Sequence, residues 1–267
     1  MADEFPLPAF ADAEDRYLFP GLVRGLSALQ CFTPEAPRLG LTEIAERLGV
    51  SRSAAFRTVY TLTQMGCLLH DARSNRYALG PGVLRLGYGY LATRQMVELA
   101  QPELERLRDR TGWSTHMGVL DGTSVLYILR APAHSADASI VHVGSRLPVQ
   151  TTTMGRVLLA DLSDDELTEL HRRDRQQDGR LAGTGLREWL AHGRLGRGEA
   201  VIVHAGDFEA RIASAAAPVR DRSGRVVAAI SITTRIDRVP AAGPDETLRA
   251  GLIETARRIS FLLGWTC

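Results

Sequence analysis

Residues 41–66 read LTEIAERLGVSRSAAFRTVYTLTQMG, and this stretch decides the architecture of the first half of the chain. Leu41, Ile44, Ala45 and Leu48 fall on one face of a short helix, with Thr42 as its expected N-cap. Gly49 stands where a helix end needs a residue tolerant of positive φ. Ser51 is placed to cap the next helix, in which Ala55, Val59 and Leu62 form the inward stripe and Gly66 the stop. Two short amphipathic helices across a tight glycine turn form a helix-turn-helix pattern, whose second helix enters the major groove of DNA. The outward face of that second helix would carry Ser51, Arg52, Ser53, Phe56, Arg57 and Tyr60. Arginine reads guanine through two hydrogen bonds, serine bonds either base type, and an aromatic edge suits the thymine methyl. Short hydroxyls at a helix start also suit phosphate. Two bland readings stand beside these: Phe56 fits a core equally well, and Arg57 fits a bracing role.

Upstream, Leu22, Leu26 and Leu29 recur at helical spacing from Pro20 onward, and Pro34 and Pro37 forbid continuation beyond Thr33. Downstream, CLLHDARSNRYALG (67–80) has two short apolar runs around Ala72-Arg73-Ser74-Asn75, a tip of turn formers. It reads as a β-hairpin wing whose Arg73 and Arg76 lie along the DNA backbone or enter the minor groove. Residues 82–110 are helical but interrupted. Gly82, Gly87 and Gly89 weaken the first part, and Pro102 begins a new segment or kinks the old one. Val97, Ala100, Leu104 and Leu107 keep an apolar stripe that suits joining the two halves or pairing with a second subunit.

From Trp113 the pattern turns to strands. WSTHMGVL and TSVLYILR flank Asp121-Gly122, a two-residue hairpin signal. SIVHVGSRLPV, AVIVH, IASAAAPVR and RVVAAISITT are further strands, the last two joined by a turn at 221–224. Ser163 to Glu166 forms a capping box, and a final helix carries Leu248, Leu252, Ile259 and Leu263. The expected fold class is α+β: an N-terminal winged helix-turn-helix, a linker helix and a C-terminal mixed α/β domain. The expected extents are a flexible arm over 1–17, the winged unit over 18–81, the linker over 82–100 and the second domain over 101–267.

The bulk numbers set outer bounds. The chain has 267 residues, 45% hydrophobic and 24% charged, enough for two cores. Net charge is only +1, but residues 18–81 carry seven arginines against four acids, a modest basic footprint. There is no lysine, so basic contacts fall to Arg or His. The three scattered cysteines argue against a disulfide framework and fit a reducing cytoplasm. No run reaches the ~18 apolar residues of a membrane span, and the acidic N-terminus is unlike a secretory leader.

The segments LTEIAERLGVSRSAAFRTVYTLTQMGCLLHDARSNRYALGPGVLRLGYGYL, LAQPELERLRDRTGWSTHMGVLDGTSVLYILR, RLPVQTTTMGRVLLADLSDDEL and AAPVRDRSGRVVAAISIT occur in that order over residues 18–264. Together they resemble the IclR-type family of bacterial regulators. GYGYL and TTTMGRVLLA resemble its branch controlling aromatic-acid catabolism through the β-ketoadipate route. The resemblance implies a GAF-like C-terminal domain binding a small organic acid, aromatic or short-chain. It implies double-stranded operator DNA as partner, a homodimer or a dimer of dimers, and no cofactor. It places the effector pocket at Thr152, Gly155, Arg156, His204, Ser214, Ser231 and Thr233. Two departures bear on that pocket. His204 stands where some members have an acidic residue, and Arg211-Ile-Ala-Ser214 replaces the usual Gly-[Val/Leu]-Arg before Cys or Ser. Ser231 and Thr233 also suit ordinary sheet positions. His116 and His142, in expected strands, suit structural roles or the pocket lining. Two other classes remain. An enzyme acting on an organic acid lacks a Gly-x-Ser-x-Gly elbow, Walker loop or dinucleotide fingerprint here. A metal-responsive regulator lacks C-x-x-C or H-x₃₋₅-H spacing, so a site would need distant residues such as His116, His142 and His204. A protein-interaction module that never touches DNA is a third.

Overall fold

A computed structural model divides the chain into two units, residues 1–93 and 94–267, and describes residues 17–92, 95–134, 141–177, 183–205, 212–239 and 246–266. The expected acidic arm lies outside the described residues apart from Tyr17. The first unit contains α1 (Pro20–Gln30), β1 (Leu39–Gly40), α2 (Leu41–Leu48), α3 (Arg52–Gln64), β2 (Leu68–Asp71), β3 (Arg76–Leu79) and α4 (Pro81–Ala92). Gly49 adopts φ 63° between α2 and α3. The Ser51 hydroxyl accepts the Ala54 N–H at 3.3 Å and so caps α3. Ala55, Val59 and Leu62 are buried, and Ala28, Ile44, Leu68 and Tyr77 share the core.

Three local expectations are corrected. The cap of α2 is Gly40, not Thr42, and the Glu43 carboxylate accepts the Gly40 N–H at 2.7 Å. The reason is β1, which pairs Leu39 with Tyr77 and Gly40 with Arg76 and fixes where the chain enters the helix. In α1, Leu22 and Leu26 are 61% and 51% exposed, while Ala28 turns inward. The Arg47 guanidinium donates to the Cys31 carbonyl at 2.6 Å beyond the end of that helix. Gly82 does not merely weaken a helix. Its N–H donates to the Gly66 carbonyl at 2.9 Å, and a Cβ on it would lie 2.6 Å from that backbone. Cys31 and Cys67 are free thiols within this unit's core.

The hairpin tip forms as the composition implies. The Asp71 carboxylate accepts the Arg73 N–H at 3.0 Å and the Ser74 hydroxyl at 2.7 Å, and Asn75 takes φ 52°. With β1 added, the wing is a three-stranded antiparallel sheet in the order β1-β3-β2.

The second unit contains α5 (Gln95–Thr111), β4 (Ser114–Asp121), β5 (Ser124–Ala131), β6 (Arg146–Pro148), α6 (Thr153–Ala160), α7 (Asp164–Gln177), α8 (Leu186–Arg194), β7 (Ile202–Ala205), β8 (Ile212–Arg220), β9 (Val226–Arg235) and α9 (Glu246–Leu262). The strands form one antiparallel sheet in the order β6-β5-β4-β9-β8-β7. Strand alternation gives the sheet two faces. Met117, Ile230, Ile232, Ala215 and Val219 belong to a core with Leu104 and Leu107 of α5 and Leu252 and Ile259 of α9. Tyr127, Val125, Ala216 and Ala229 belong to a second core with Met154, Val157 and Leu158 of α6 and Trp189 of α8.

Here too the structure corrects details. Helix α5 continues through Pro102, and its stripe of Ala100, Leu104 and Leu107 is buried within this unit. Of the described part of SIVHVGSRLPV only Arg146–Pro148 is strand, so His142 lies in a loop; Ser139 and Ile140 lie outside the described residues. The hairpin turn is Gly122-Thr123, because Asp121 still pairs with Ser124. The capping box at Ser163 forms with both bonds, at 2.9 and 3.2 Å.

Gly82→Ala forces backbone apart where α4 meets the segment between α3 and β2. It is expected to destabilise the winged unit by about 2 kcal/mol. Amide hydrogen exchange over residues 41–79 checks this, and unchanged protection contradicts it.

Candidate DNA interface and effector site

Helix α3 owes its outward face to the inward stripe just described. Ser51, Arg52, Ser53, Phe56, Arg57 and Tyr60 are all exposed. Phe56 is 49% exposed, which excludes the core reading, and its ring stands 6.2 Å from that of Tyr60. Among the described residues, Arg52 and Arg57 engage no acceptor, so the bracing role for Arg57 finds no partner there. Arg73 projects from the hairpin tip with its side chain exposed. Arg76 differs: its guanidinium donates to the Arg38 carbonyl at 2.9 Å and lies 3.4 Å from the Glu43 carboxylate. It ties the wing to the segment before α2.

Of the expected effector residues, Ser214, Ser231 and Thr233 share one sheet face near α6, and Thr152, Gly155 and Arg156 belong to the start of that helix. Register places Ser214 opposite Thr233 and Ala216 opposite Ser231, with His204 on the far side of Ser214. The side chain of His204 is not among the described ones. The Thr153 and Ser214 hydroxyls are hydrogen-bonded, joining the start of α6 to β8. Nothing in the sequence singles out Thr153, because which strand a helix hydroxyl meets is a tertiary fact. Thr152 accepts the Gly155 N–H at 3.0 Å, so cap and amide already serve each other. The first-turn N–H groups of Thr153 and Met154 have no carbonyl partner within the helix, as at any helix start. Gly155 is a packing residue: a Cβ there would lie 2.1 Å from the Val149 carbonyl oxygen. Arg156 is half-buried one position further on.

From sequence, His116 suits either a structural role or the pocket lining. On β4 it stands opposite Ser231 on one side and Arg130 on the other. It is 1% exposed, and neither ring nitrogen has a hydrogen-bond partner. Its ring meets that of Tyr127 edge-on, with centroids 5.7 Å apart. Burial, and then the Arg130 charge, push its pKa down to about 3, so the imidazole is neutral. The Thr233 hydroxyl is likewise buried without a partner. Each such group costs about 1–3 kcal/mol when left unpaired. Three orphaned polar atoms on one sheet face are the strongest local sign of a ligand-facing surface.

A separate cleft of about 230 Å³ is lined by Asp161, Arg220, Arg257, Ser260 and Trp265 among others, and it holds none of the expected effector residues. Arg220 pairs with Asp161 there at 2.9 Å. Among the described residues, no group of three or more His, Cys, Asp or Glu is arranged to hold a metal ion. No helix among them is long and apolar enough to cross a membrane.

An exposed arginine-bearing recognition helix and wing, followed by a two-cored α/β domain with polar groups under a helix start, define a ligand-responsive DNA-binding protein. Residues 21–72 match the IclR helix-turn-helix domain and residues 88–261 the bacterial transcriptional regulator IclR C-terminal domain. The chain belongs to the IclR family of bacterial transcriptional regulators. It is 32% identical over 238 residues to the Pca regulon regulatory protein of Pseudomonas putida, covering 88% of this chain and 81% of that protein. A solved transcriptional regulator of Rhodococcus sp. RHA1 superposes with a TM-score of 0.76 at 34% identity, over 92% of this chain and 98% of that one. An IclR homolog of Microbacterium hydrocarbonoxydans, solved in complex with 4-hydroxybenzoate, superposes with a TM-score of 0.72 at 25% identity, over 91% and 98%.

The neutral His116 has a stability consequence whose sign is fixed. An unfolded histidine takes up a proton below about 6.5, whereas folded His116 stays neutral down to about 3. Between those values the unfolded chain holds the extra proton, so stability falls with falling pH by up to about 1.4 kcal/mol per unit. Urea unfolding followed by fluorescence is expected to show that loss between pH 6.5 and 5. All three tryptophans lie in the second unit, so they report on it alone. His116→Phe is expected to remove most of the loss, and an unchanged slope contradicts the assignment.

Proposed function

We propose that this regulator reads a specific operator with Ser51, Arg52, Ser53, Phe56, Arg57 and Tyr60, while Arg73 positions the wing on the phosphate backbone. The exposed face of α3 carries the reading: its arginines have no acceptor among the described residues and are free for base edges. Arg76 holds the wing's shape and adds a phosphate contact only secondarily. In this reading residues 18–81 bind DNA, 82–100 link, and 101–267 bind an effector, with residues 1–17 a flexible arm. The protein works in the cytoplasm as a homodimer, or a dimer of dimers, on a pseudo-palindrome with half-sites about 34 Å apart.

The effector is a small organic acid, most simply an aromatic one. Supporting this are the similarity to a Pca regulon regulator and to a homolog solved with 4-hydroxybenzoate. The pocket comprises Thr152, Gly155, Arg156, His204, Ser214, Ser231 and Thr233. Thr152 and Gly155 shape the helix start, and the hydroxyls of Ser214, Ser231 and Thr233 face the acid. Binding shifts the spacing of the two reading heads through a coupling of about 1–3 kcal/mol.

Arg52→Ala is expected to relax base preference at one operator position by about 1–3 kcal/mol. Arg73→Ala weakens all sequences evenly and lowers the salt slope by about one. Footprinting against operator variants at several salt concentrations checks the division, and equal loss on all sequences from both changes contradicts it. Ser214→Leu is expected to keep operator affinity while the effector response disappears. A retained response in the same gel-shift titration removes Ser214 from the pocket.

A further inference from the structure

The sheet face under α6 has two polar ends. At one end the Thr153 and Ser214 hydroxyls meet, Thr233 stands opposite Ser214, and the N–H groups of Thr153 and Met154 open the helix. At the other end are Ser231 and, opposite it on β4, His116 with both nitrogens unpartnered. Ser231 and Thr233 are two residues apart on one strand, so the ends are separated by about 6.7 Å, the order of the span across a para-substituted benzene ring. Apolar and aromatic side chains share this face with the two ends: Tyr127, Ala216 and Met154 belong to its core.

We propose that His116 reads the ring hydroxyl of a para-hydroxylated aromatic carboxylate whose carboxylate end lies at the start of α6. The inference rests on the acid-sensing reading above and adds the group that discriminates among acids. The two ends suit the two halves of such a ligand differently. A carboxylate gains from first-turn amides and hydroxyls at a helix N-terminus. A phenol is both donor and acceptor, and so is a neutral imidazole, which offers one N–H and one lone pair. The titratable groups facing His116 enforce this. Arg130 beside it disfavours a second positive charge, and Tyr127, whose hydroxyl burial pushes up, stays a neutral phenol. A ligand lacking the hydroxyl would leave His116 buried and unpaired, which is the basis of strong rejection in sites built around a hydrogen bond.

Calorimetry on the full chain with 4-hydroxybenzoate and benzoate tests this. The wild type should bind the hydroxylated acid at least about tenfold tighter, the order of one buried hydrogen bond. His116→Phe should keep its benzoate affinity and bring the two acids within about threefold of each other. An undiminished preference in the variant overturns the proposal and leaves the acid-sensing reading intact. So does an equal loss of both acids, which would put the carboxylate beside His116 and Arg130 instead. Wild-type protein that binds neither acid overturns the proposal together with the aromatic form of the acid-sensing reading. A second measurement does not depend on the variant's folding: saturating 4-hydroxybenzoate should shift the imidazole ¹⁵N resonances of His116, and benzoate should not. Resonances unmoved by the hydroxylated acid overturn the proposal.

Discussion

The contact on which the effector domain depends is the seating of α6 on the backbone of Val149, with Gly155 as the only residue small enough to permit it. That approach sets where the helix begins. It brings Thr153 within a hydrogen bond of Ser214 and packs Met154 and Val157 into the core on the same face. The polar patch then follows from strand register, since Ser214, Thr233, Ser231 and His116 are carried to one face by three adjacent strands. A helix displaced by even a methyl group would lose the bridge between hydroxyls and open the face to water. Gly155 is therefore indispensable to that polar patch through packing alone, because Thr152 already occupies its amide.

The two halves of the molecule differ in how they were legible. In the winged unit, capping by Ser51, the left-handed Gly49 and the stripe of Ala55, Val59 and Leu62 are interactions within a few residues, and local pattern suffices to find them. What local pattern leaves out there are pairings across sequence distance. Strand β1 is two residues long and exists only because β3 lies beside it, and it moved the start of α2. Leu22 and Leu26 read as a buried face by spacing alone, yet α1 turns Ala28 inward instead. Arg76 looked like a free wing cation, while its acceptors, Arg38 and Glu43, sit more than thirty residues earlier in the chain.

In the effector domain the strands are legible from alternation, but the polar patch is not. Ser231 and Thr233 could be placed on one face by their spacing, and Ser214 by its resemblance to a family motif. His116 carried no motif. Its meaning arises only when the β4–β9 register puts it opposite Ser231 and burial removes water from both nitrogens. The helix through Pro102 is a similar case. Local rules break a helix there, whereas burial of Ala100, Leu104 and Leu107 on either side keeps it whole.

The two described thiols, Cys31 and Cys67, are both sealed in the core of the winged unit. Burial pushes the Cys31 thiol up, with only Arg47 pulling the other way. Thiolate is the species that oxidants and electrophiles attack, so Cys31, sealed in that core with its thiol held protonated, offers them little purchase.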